Sequence, residues 1–181
     1  MKMFKEFSKI NENINFTNES ANEFKGVVKT YKNGLHAGII KEKYPWLRQA
    51  KFKDAVIGED RNGLVWYSGT WEDGIWEYGR WKKGTWKNGI WQDGEWEDGY
   101  WENGTWQDGY WKKGTWYGGT WESGTWEYGR WFDGTWKNGT WENGMWKKGK
   151  WEGGKWNGGE KINPKIGDFE RSDEPPTEDF D

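Results

Sequence analysis

The chain has 181 residues, a net charge of −3, one histidine and no cysteine. The lack of thiols excludes a disulfide or thiolate-metal framework, and no stretch approaches the ~20 apolar residues of a membrane span. Only 33% of residues are apolar, against ~45–50% in ordinary globular chains, yet 20% are aromatic, which a disordered chain would not be.

Residues 1–49 read as a partly helical leader or cap. Phe4, Phe7 and Ile10 have the spacing of one short amphipathic helix, which the Asn-rich run Asn11–Asn18 would end. Met1–Ile10 lacks the apolar run of a secretory signal, so the expected location is the cytoplasm of the producing cell, including any virion assembled there. Residues 35–49 carry a small apolar cluster broken at Pro45, which suits the covering of a repeat body's open end.

The repeat domain spans residues 50–159. It opens on Ala50-x-Phe52-x-x-Ala55-x-Ile57, a small residue followed two places on by a large apolar one, with the pattern repeated after five. Gly58–Val65 then shifts the phase by one residue, as a bulge or loop would. From Trp66 to Trp156 a Trp recurs at every fifth position, giving 19 Trp-x-x-Gly-x pentads in unbroken phase. A period of five fits neither a helix nor one continuous strand, and Gly in every helical turn would cost about 1 kcal/mol each. Each pentad must be a short extended piece plus a turn.

Two architectures fit. In a square β-helix with four pentads per coil, Gly and Trp point inward and the other three residues face water. The lead-in motif resembles the pentapeptide-repeat family, whose pattern is Ala-[Asp/Asn]-[Leu/Phe]-x-x. It lacks Asp or Asn at the second position, and the array substitutes Gly for Ala and Trp for Leu or Phe. That resemblance implies a β-solenoid. The alternative is a meander of short strands joined by type I′ turns, because Asn, Asp or Gly precedes Gly in 12 of 19 pentads. Trp101-Glu-Asn-Gly-Thr-Trp106 and Trp141-Glu-Asn-Gly-Met-Trp146 resemble designed tryptophan-zipper hairpins, and Gly-x-Trp-x-Asn-Gly is similar to part of the MORN repeat, without its longer spacing.

Burial favours the solenoid, because a single-layer meander leaves its Trp face uncovered. Charge pulls the other way, since a 20-residue coil would stack Glu102, Glu122 and Glu142. The near-duplicate Trp76–Gly89 and Trp126–Gly139 is offset by ten pentads, which is not a whole number of four-pentad coils. In either case the expected structural core is Trp71, Trp76, Trp81, Trp86, Trp91, Trp96, Trp101, Trp106, Trp111, Trp116, Trp121, Trp126, Trp131, Trp136, Trp141, Trp146 and Trp151.

Residues 160–181 turn acidic, with Asp168, Glu170, Asp173, Glu174, Glu178, Asp179 and Asp181 beside Pro175-Pro176. Such a tail cannot build a core and is expected to stay extended or disordered.

No enzyme can be assembled from these residues. His36 is the one histidine and Ser occurs only at 8, 20, 68, 123 and 172, so no metal spacing, nucleophile elbow or phosphate loop emerges. No catalytic residue, metal ligand or cofactor is expected. Lys82, Lys83 and Lys87, Lys112 and Lys113, and Lys147, Lys148 and Lys150 lie between aromatics, as in single-strand binders. Interspersed acids break any basic face, so nucleic acid is a poor partner. A glycan partner would need an open Trp face, or Tyr67, Tyr78, Tyr100, Tyr110, Tyr117, Tyr128 and Phe132 used as a recognition surface. The expected function is a rigid structural, scaffold or interaction module that binds a protein partner or itself, without membrane contact. The Trp-x-x-Gly-x array and the Lys-Phe-rich start resemble uncharacterised bacteriophage proteins, which implies a virion or host-interaction component.

Overall fold

The computed structural model describes residues 42–163 and 165–177. The helix expected around Phe4–Ile10 therefore lies outside the described residues. Strands β1 (Lys51–Asp60) and β2 (Gly63–Asp73) lead into seventeen two-residue strands, β3–β19, each a Trp and the residue before it, from Ile75–Trp76 to Lys155–Trp156. Two longer strands, β20 (Gly159–Asn163) and β21 (Asp168–Ser172), close the order. The body is a parallel β-solenoid.

Each Trp from Trp66 to Trp141 pairs in register with the Trp fifteen residues on: Trp96 with Trp111, Trp101 with Trp116, Trp106 with Trp121. The coil therefore closes after three pentads, not four, and its section is a triangle rather than a square. Pairing is parallel throughout the array, so the hairpin meander is not formed. Nineteen pentads at three to a coil make about six coils, a body about 30 Å tall at ~4.8 Å per layer.

The ring size explains the triangle. Indoles from three sides meet edge-to-face at the centre, for example Trp96–Trp101 at 6.0 Å and 72° and Trp101–Trp106 at 6.0 Å and 73°. Along each side they stack in columns: Trp81–Trp96, Trp96–Trp111 and Trp111–Trp126 all lie at 4.8 Å, within 6° of parallel. Both arrangements are the ones an aromatic quadrupole favours. Every array Trp from Trp66 to Trp141 is fully buried. A fourth side would open a central void, which close-packed interiors avoid.

Coils approach most closely at the glycines. Tyr100 N–H donates to Gly84 O at 2.9 Å, and a Cβ on Gly99 would sit 2.4 Å from that same oxygen and 3.1 Å from the Trp96 ring. Gly99 also has φ +137°, which L side chains rarely adopt. The turns are not type I′. Within the array only glycines have positive φ, and apart from Gly158 the residue before each corner glycine keeps a negative one. Asn and Asp recur there for another reason. The Asp98 Oδ1 accepts the Gly99 N–H at 2.8 Å, and Asn143 does the same for Gly144 at 2.8 Å.

The lead-in runs backwards relative to the expected coil. β1 pairs antiparallel with β2 across the Arg61–Asn62 turn, matching Phe52 to Trp71 and Ile57 to Trp66. Ala50, Phe52, Ala55 and Ile57 are nevertheless all buried. Inward periodicity reads alike in both chain directions, so the pattern gave the face but not the polarity. Phe52 covers Trp66 and Trp71, while Trp46, carried by the single-turn 3-10 helix Pro45–Arg48, packs edge-on over Trp76 at 5.1 Å. These two rings close the amino-terminal end of all three columns.

At the other end the acidic tail does pack, contrary to the extended chain its composition suggests. β21 pairs with β20, Trp156 donates Nε1 to the Ser172 carbonyl at 2.9 Å, and Pro176 is buried. An open last coil presents unpaired backbone and Trp edges, and covering them outweighs the local preference for water. Residues 178–181, including Phe180, lie outside the described residues.

Candidate functional site

The Trp residues expected to form the core occupy the three internal columns and are closed to any ligand. Trp71 through Trp141 have no exposure, and Trp146 and Trp151, near the carboxy-terminal end, have 2% and 8%. Trp116 and Trp126 donate Nε1 to the Asp133 and Asn143 carbonyls, each at 3.1 Å. Trp111, Trp121 and Trp131 have no acceptor in range, a cost of about 1–3 kcal/mol each that the stacking must offset. An open Trp face for sugars does not exist.

Any recognition must use the outside, where residues fifteen apart line up along the axis. The result is a set of ladders. Lys82 faces Glu97 at 2.5 Å and Lys137 faces Glu122 at 3.4 Å. Glu102, Glu122 and Glu142, which a four-pentad coil would stack, fall on three different sides. Asn103 donates to Asn88 at 3.4 Å and Asn88 to Asp73 at 3.3 Å, continuing the ladder along one corner.

The lysine clusters divide in the same way. Lys112 pairs with Glu95, Lys113 with Asp98 at 3.2 Å, Lys148 with Asp133 at 2.9 Å and Lys150 with Glu152 at 2.9 Å. The Glu95 carboxylate beside Lys112 raises that ammonium's pKa. Lysines and carboxylates alternate down the Lys82 and Lys83 ladders, and Lys148 and Lys150 each pair with an acid, so these lysines form no continuous basic track for a phosphate backbone.

Exposed aromatics are more organised. Tyr100 stacks on Tyr117 at 6.5 Å and Tyr117 on Phe132 at 5.3 Å, forming an external column on one side of the triangle. The Lys147 ammonium lies 5.4 Å from the centre of the Phe132 ring and ends the column there. Tyr110 instead donates to Glu127 at 2.5 Å, and that bond, followed by burial, pushes its phenol up to about 12. Tyr78 packs against Tyr44 and Trp46 at the amino-terminal cap, while Tyr128 stands exposed at another corner. Sequence reasoning grouped these rings together. The structure separates them, and the signal for the column was the i, i+17, i+32 placement of Tyr100, Tyr117 and Phe132.

Comparison of the chain with protein-family models, curated proteins and solved structures finds no match in any of the three. Among the described residues, no helix is long and apolar enough to cross a membrane.

Proposed function

We propose that this chain is a non-enzymatic scaffold or interaction module: a rigid prism that holds surface side chains at fixed axial and angular positions. The observation carrying this reading is the core. Three columns of buried, nearly parallel indoles extend through every coil of the array, so apolar packing is directed inward and the exterior is free to vary. Stacked repeats support one another as nearest neighbours, which favours stiffness. A protein partner, or a second copy of the chain, is the class of ligand such a surface serves best.

The resemblance to bacteriophage Trp-x-x-Gly-x proteins supports the narrower reading of a virion or host-interaction component. Quantitative mass spectrometry of particles purified from the producing cells tests both. A fixed copy number in a particle, or in another stable assembly, is expected. A chain recovered only as a free monomer that sediments without a partner overturns the proposal.

A further inference from the structure

The external aromatic column has unlike ends. At Phe132 the last ring face is covered by the Lys147 ammonium. At the opposite end Tyr100 is 54% exposed, and its outer face has no ring or cation over it among the described residues. That ring borders a groove of about 420 Å³ at the corner between two sides, within the size range of small-ligand sites. Gly84, Gly99 and Gly114, stacked along that one corner, form the floor, so a ligand can approach the backbone closely. Around it stand the Thr85 and Thr115 hydroxyls, the Lys83 ammonium and the Asp98 carboxylate.

We propose that this groove is a binding site for a glycan. The free face of Tyr100 is electron-rich and suits the C–H face of a pyranose, which is weakly electropositive. Thr85 and Thr115 can donate to or accept from sugar hydroxyls, Lys83 donates and Asp98 accepts. None of the two hydroxyls and the Lys83 ammonium has a hydrogen-bond partner among the described residues. Asp98 is already shared between the Gly99 N–H and the Lys113 ammonium, at 3.2 Å, so among the described residues Lys83 is the unpaired charge of the groove lining and serves as its free donor. A quaternary ammonium would also stack on Tyr100, but several rings enclose such a cation in aromatic cages, whereas one ring meets this groove. The inference does not depend on the assembly role.

The test is an NMR titration of the full chain with maltohexaose, cellohexaose and chitohexaose. At least one is expected to give saturable shifts centred on Thr85, Gly99 and Tyr100, with a Kd of about 1 mM. Tyr100→Ala should weaken binding by roughly tenfold or more, the scale of one lost stacking contact, while Tyr100→Phe stays within about twofold. Tyr110→Ala, an exposed ring on another side of the prism, should change nothing. Should Tyr100→Ala misfold, the map of shifts and the Tyr100→Phe affinity still decide. Absence of saturable shifts with all three sugars, shifts away from the groove, or full binding in a folded Tyr100→Ala variant each overturn the proposal. So does tetramethylammonium binding at Tyr100 where the sugars fail.

Discussion

The rings of Trp96 and Trp111 lie 4.8 Å apart and 5° from parallel, although fifteen residues separate them in the chain. Trp126 repeats the contact on the far side of Trp111, and Trp106 and Trp116 meet it edge-on at 5.8 and 6.0 Å. Removing this ring leaves a cavity with neighbours on every side. Trp111→Ala is expected to cost about 3–5 kcal/mol in denaturant unfolding. Trp156 has one stacked neighbour, Trp141 at 5.1 Å, and 9% exposure, so Trp156→Ala should cost clearly less. Equal losses at the two sites would contradict nearest-neighbour stacking.

Two kinds of glycine should respond oppositely to alanine. Gly99→Ala places a methyl 2.4 Å from Gly84 O at φ +137° and is expected to destabilise by several kcal/mol, or about 3. Gly153 has an ordinary φ, and the nearest atom to its added Cβ is Lys137 O at 3.5 Å. Gly153→Ala should raise stability by about 0.4–1 kcal/mol, because it restricts the unfolded chain. Thermal melts of both variants check the assignment of the corner.

How much of this was legible in the sequence follows from where the information sits. Every pentad carries the same Trp and Gly, so the core pattern is identical for any whole number of pentads per coil. Period five, β structure and buried Trp could be read from it. The number of sides could not. That number was written in weaker surface positions, in the Lys82, Glu97, Lys112, Glu127 alternation and in Thr105, Thr120 and Thr135, all fifteen apart. The external aromatic column was hidden for the same reason, since its members become neighbours only once the coil length is known.

The charge ladders should be measurable but small. Lys112→Glu sets a like charge between Glu97 and Glu127 and removes the pair with Glu95. With these groups well exposed to water, the expected loss is no more than about 1 kcal/mol, and it should shrink as salt rises from low to physiological strength. A loss independent of salt would point to packing rather than charge.

The amino-terminal cap should be sensitive to pH. Lys43 and Tyr44 both donate to Glu59, and these bonds hold its carboxyl below its ordinary value of 4.5. A carboxyl whose folded pKa is depressed stabilises the fold above its unfolded pKa, and that contribution is lost as pH falls through the folded one. Tyr44 shifts the other way: burial, then the Glu59 bond, raises its phenol, so its contribution disappears only in strong alkali. Hydrogen exchange at Leu47 and Gln49 is expected to accelerate below about pH 4, the ordinary carboxyl range, before the Trp columns open. Glu59→Gln should flatten that acid response, and an unchanged acid response in this variant would show that another group controls the cap.

Because three pentads close one coil, the pentad acts as a rotary index. An insertion of five residues leaves the core chemistry unchanged but turns everything downstream by a third of a revolution relative to the cap. Fifteen residues restore the original bearing and add only height. The near-duplicate segments beginning at Trp76 and Trp126 illustrate this: they stand ten pentads apart and face different directions. Gain or loss of single pentads would thus re-aim a surface without rebuilding a fold, so length variation alone can change which partners meet on the same side.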